Sequence, residues 1–104
     1  MSQYTSNYSW LESQFGKAME AHQQFGKALQ AAGPIAAKEA QLIQLAGAAA
    51  VKSEGAVHSH VKRALKAGAQ PDEIYHSLLL LSSTIGFPAA AAAVSWARDI
   101  VEVK

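Results

Sequence analysis

The chain contains no cysteine, which removes disulfides, thiolate metal sites and redox thiols at once. Charge is also scarce. Asp, Glu, Lys and Arg make up 16% of the residues, against about a quarter in an ordinary globular chain. The formal net charge is +1, so no electrostatic excess points to nucleic acid or an anionic membrane as partner. Lys62, Arg63 and Lys66 stand close together, but no aromatic residues interleave with them, and they read as a solvated helix face. Long apolar runs are missing too. The most apolar stretch, residues 78–94, is interrupted by Ser82, Ser83, Thr84, Gly86 and Pro88 and falls short of the ~20 residues of a membrane span. It reads as buried rather than transmembrane. The first seven residues are polar and lack the basic and apolar regions of a signal peptide, so a cytoplasmic location is expected.

What remains is a chain of 104 residues, half of them hydrophobic and many of those alanine. This length makes one domain, residues 1–104, too short for two independent cores. A small domain with so little charge tends to cover part of its surface with copies of itself, so a homo-oligomer is expected.

Gly33-Pro34, Gly68, Pro71 and Gly86-Phe87-Pro88 divide the chain into about five helical segments. In the first, Leu11, Phe15, Ala18, Met19, His22, Phe25 and Leu29 follow the rhythm of one helical face. Pro34 is suited to the first turn of the second segment, residues 35–52, which ends in an alanine-rich tail. The third covers residues 53–67, with Gly68 as the residue that closes it. The fourth opens on Gln70-Pro71-Asp72-Glu73, a Pro and two acids that fit a helix start. Its Ile74, Tyr75 and residues 78–81 are apolar on nearly every side, so all are expected to be buried. The fifth follows Pro88 with five consecutive alanines. No stretch alternates at strand spacing, and the fold class is all-α, a single-domain helical bundle. Phe15-Gly16-Lys17-Ala18 recurs as Phe25-Gly26-Lys27-Ala28. The offset matches no solenoid period, and both glycines weaken the case for an unbroken first helix.

The densest polar cluster is residues 52–60. Ser53, Ala56 and His60 share one helical face, while His58 lies roughly 200° from His60, which argues against a His-x-His metal chelate. No metal and no cofactor are expected. Taken alone, Ser53 reads as an N-cap and Glu54 as an acid complementing the helix dipole. Glu54 also forms an i, i+4 pair with His58.

Residues 60–69 followed by Pro71-Asp72-Glu73-Ile74 resemble the central motif of the carboxymuconolactone decarboxylase-like and alkylhydroperoxidase-like superfamily. Lys38-Glu39-Ala40-Gln41-Leu42-Ile43 is similar to its Lys-x-x-Glu-Leu-Ile helix. Ile85-Gly86-Phe87-Pro88-Ala89-Ala90 is similar to its Gly-x-Pro-Ala turn. The resemblance is strongest over residues 38–97. It implies an alkylhydroperoxidase-like bundle that assembles into homotrimers or homohexamers. The peroxidase branch carries Cys-x-x-Cys-x-x-x-His, an acid on the preceding helix and a histidine between the cysteines. Those positions correspond here to Ser53, Ala56, His60, Gln41 and Gly55. Only His60 matches.

Serine is a far poorer nucleophile than a thiolate and forms no disulfide, so thiol peroxidase chemistry is excluded. Two functions compete. The first is a non-catalytic oligomeric or small-molecule-binding member that kept the fold and lost the relay. The alternative is a cofactor-free decarboxylase, lyase or isomerase on a small carboxylate or lactone. His60 would be its general acid/base, and Gln41, Ser53, Ala56 and His58 would stand at the pocket or relay positions.

Overall fold

The computed structural model describes residues 3–103, with side chains from residue 7 onward. Met1 and Ser2, which open the polar stretch read against a signal peptide, lie outside the described residues. The described residues form helices only: α1 Gln3–Gln14, α2 Gly16–Ala31, α3 Ala37–Ala50, α4 Glu54–Lys66, α5 Pro71–Leu79, α6 Ser82–Ile85 and α7 Phe87–Val101. Six are full helices and α6 is a single turn, against the expected five. Two local events account for the difference. Phe15 leaves the helical region, with φ −132° and ψ 49°, and splits the first segment in two. The chain after Leu81 winds one further turn before Gly86, at φ 97°, redirects it into α7. Pro34 lies ahead of α3 rather than in its first turn, and Ala36 enters the helix from extended backbone.

Contacts divide the chain into two compact units, Met1–Ile35 and Ala36–Lys104. The first is the α1–α2 pair. Gln23 on α2 donates through Nε2 to the Tyr8 hydroxyl at 2.7 Å and to Glu12 Oε2 at 3.3 Å. Trp10 meets Phe15 edge-on with ring centroids 6.3 Å apart. No residue of α2 is buried.

The second unit holds the core, a cluster supplied by α3, α4, α5 and α7 together with Ala69. Its largest fully buried side chains are Leu45, Ile74, Leu78, Val57 and Val61. Its other buried members are alanines, Ala48, Ala49, Ala64, Ala69, Ala93 and Ala97, and Ala90 is buried as well. Small side chains let helix axes approach toward the lower end of the usual 8–10 Å range. The alanine run therefore serves packing, with Ala90 and Ala93 turned inward. Leu79 and Leu80 correct one expectation, since they stand 54% and 60% exposed. At about 100° per residue, Ile74 and Leu78 take the fully buried face of so short a helix, and Tyr75 and Leu81 pack part-buried beside them.

Helix ends are closed by identifiable devices. Gly68, at φ 100°, ends α4 while Ala69 N–H reaches back to Ala64 O at 2.9 Å and Gly68 N–H to Leu65 O at 3.1 Å, the two bonds of a Schellman motif. The same motif ends α3: Ser53 N–H donates to Ala48 O at 3.0 Å and Lys52 N–H to Ala49 O at 3.0 Å. There the left-handed position is held by Lys52, φ 58°, the one non-glycine residue of positive φ among those described. At the start of α5, Gln70 N–H donates to Glu73 Oε1 at 2.8 Å. Glu73 also accepts from Lys38 Nζ on α3 at 2.9 Å. No helix of the described residues is long and apolar enough to cross a membrane.

Candidate functional site

α3 and α4 are joined by so short a turn that Ser53 serves both. Its N–H closes α3, and its Oγ accepts from Ala56 N–H at 3.3 Å as the N-cap of α4. A backbone of φ −96° and ψ 98° at Ser53 suits that role. The hairpin this creates lays the first turns of α4 beside α3. His60 and Gln41 meet across it, with His60 Nδ1 2.9 Å from Gln41 Oε1. An amide oxygen only accepts, so Nδ1–H is the donor and the Nε2 lone pair is the basic position of the neutral ring.

Both residues are half-buried. Burial, and after it the Arg63 guanidinium, hold the His60 imidazole below its ordinary 6.5. Desolvation disfavours the charged ring, and a nearby cation adds to that. At neutral pH His60 is therefore uncharged. Gln41 cannot reverse this, because an amide carries no charge to stabilise an imidazolium.

His58 lies elsewhere. It faces α7, where Nε2 donates to Asp99 Oδ2 at 3.0 Å, while His60 faces α3. The two imidazoles thus serve different neighbours, as positions two apart on a helix must. His58 is 6% exposed, the one buried polar side chain among the described residues. Glu54, one turn earlier on α4, joins it: ligand atoms of Glu54, His58 and Asp99 all lie within 4.8 Å of one another. Sequence reasoning paired Glu54 with His58 but missed Asp99, which is 41 residues from His58 and carries no local signal of the contact.

Of the five sequence-predicted positions, the structure brings together Gln41 with His60 and Ser53 with Ala56, and sets His58 apart. Ser53 and Ala56 interact through a capping hydrogen bond and offer no nucleophile–base pair. Lys62, Arg63 and Lys66 are exposed.

No curated protein and no solved structure matches the chain. The family model of the carboxymuconolactone decarboxylase family matches residues 16–99, which takes in α2 and nearly all of the second unit. With that match over most of its length, the chain belongs to the carboxymuconolactone decarboxylase family.

Proposed function

We propose that this chain is a non-catalytic member of the family, a homotrimeric or homohexameric scaffold or binder of a small carboxylate or lactone. One observation carries the reading: the partner of His60 is the amide of Gln41, at 2.9 Å. Where the peroxidase branch places an acid, this chain places a group that neither takes up nor releases a proton near neutral pH. The hydrogen bond survives and the proton relay does not. With no cysteine in the chain, no thiol can carry electrons either.

Oligomerisation is supported by the apolar side chains left uncovered on the second unit. Ile43, Val51, Leu79, Leu80 and Phe87 are all exposed, and packing a second copy over such side chains would remove apolar surface from water.

A second reading has its own observation. An uncharged His60, with Nδ1–H held by Gln41, presents Nε2 as a base. A cofactor-free lyase needs such a group to take up a proton and return it to the carbon that loses carboxylate as CO2. The two readings separate in one experiment. CO2 release from a carboxymuconolactone or a β-keto acid is measured with the wild-type protein and with His60→Gln, which keeps a hydrogen-bonding side chain but cannot shuttle protons. No release by the wild type is expected. Release that disappears in His60→Gln would install the lyase reading in its place.

A further inference from the structure

We infer that Glu54, His58 and Asp99 form a binding site for a divalent first-row transition-metal ion, separate from the Gln41–His60 pair. Two of the donors, Glu54 and His58, are one turn apart on α4, so they present to the same side. This i, i+4 spacing is the one that lets a single helix supply two ligands to an ion. Asp99 is supplied by the last turn of α7, which packs against α4. The donor atoms lie within 4.8 Å of one another, and His58 Nε2 is 3.0 Å from Asp99 Oδ2. Bonds of about 2.1 Å to imidazole and carboxylate set adjacent ligand atoms roughly 3 Å apart, so that edge of the polyhedron is already in place.

Charge supports the same conclusion. Two carboxylates directed at one point repel each other unless a cation lies between them. Asp99 also occupies the C-terminal turn of α7, where the helix dipole disfavours an acid. An ion at this point would compensate both. The imidazole fixes the class of ion. Nitrogen with two carboxylate oxygens suits zinc, manganese or iron, whereas magnesium prefers oxygen and gives up its water reluctantly. On binding, His58 Nε2 loses the hydrogen it now gives to Asp99. The neutral ring then carries its one hydrogen on Nδ1, and the Nε2 lone pair takes the metal. Three protein donors leave positions open for water or another ligand.

The test is a titration of the full chain with Zn2+ by calorimetry and with Co2+ by its ligand-field absorption, before and after single substitutions. One ion per chain is expected. Asp99→Asn and Glu54→Gln should each weaken it by at least about tenfold and shift the Co2+ spectrum, while His22→Gln and His76→Gln leave both unchanged. Millimolar Mg2+ should not compete. His58→Gln alters the core and is informative only if it folds. Asp99→Asn carries the test, because its side chain is 58% exposed and circular dichroism can verify that the helices persist. Absent binding, or equal affinity in wild type, Asp99→Asn and Glu54→Gln, would overturn the site.

Discussion

Ser53 Oγ accepts a hydrogen bond from Ala56 N–H at 3.3 Å, so the two positions that the family resemblance sets against the cysteines of the peroxidase branch are here tied to each other as a helix cap. Ser53→Ala should cost about 1 kcal/mol of stability, read as a fall in the denaturation midpoint at unchanged slope. Installing Cys at both positions places the thiols at the family's spacing. Hydroperoxide turnover with a dithiol should nevertheless stay weak, because Gln41 gives no acid to the relay. Robust turnover by that double variant would show that the acid is dispensable.

Lys52 holds the left-handed position that ends α3, at φ 58°. A side chain there costs about 1–2 kcal/mol, and glycine returns part of this through its larger unfolded-state entropy. Lys52→Gly should therefore stabilise the protein by roughly 0.5–1 kcal/mol, visible as a thermal midpoint several degrees higher.

The lowered pKa of His60 has a defined sign in stability. The folded protein resists protonation of this ring more than the unfolded chain does. Stability is therefore unaffected by His60 well above 6.5, declines as pH falls through that ordinary value, and stops declining below the folded pKa. An NMR titration of the His60 ring should give a midpoint below 6.5. Gln41→Glu, which sets a carboxylate against Nδ1, should move that midpoint upward. A midpoint at or above 6.5 in the wild type would contradict the burial argument.

Light scattering at micromolar concentration should return a trimer or hexamer of the 11.0 kDa chain. Replacing Leu79 and Leu80 together by Glu should reduce the assembly while leaving the helical signal, since both are exposed in the single chain. A monomer in the wild type would refute oligomerisation.

Which of these features could be read from sequence depended on how local their causes are. Gly68 and Gly86 were legible because a chain reversal at positive φ calls for glycine. The break at Phe15 was not. Phe15-Gly16-Lys17-Ala18 interrupts the helix, whereas the same four residue types at Phe25-Gly26-Lys27-Ala28 run straight through it, so the motif itself cannot decide. Leu79 and Leu80 misled for another reason: an all-apolar run has no periodicity to show which side faces in. Gln41 and His60 were placed opposite each other by the family resemblance alone, and Asp99 by nothing in the sequence.

The alanine-faced helices of the second unit carry a final consequence. Alanine surfaces are shallow, and shallow ridges resist sliding along a neighbour poorly. Three polar clasps span the pairs instead: Lys38 to Glu73 between α3 and α5, Gln41 to His60 between α3 and α4, and His58 to Asp99 between α4 and α7. The methyl groups bring the helices close, and the clasps set how far each is advanced along the next. Cutting one should change alignment before it changes compactness.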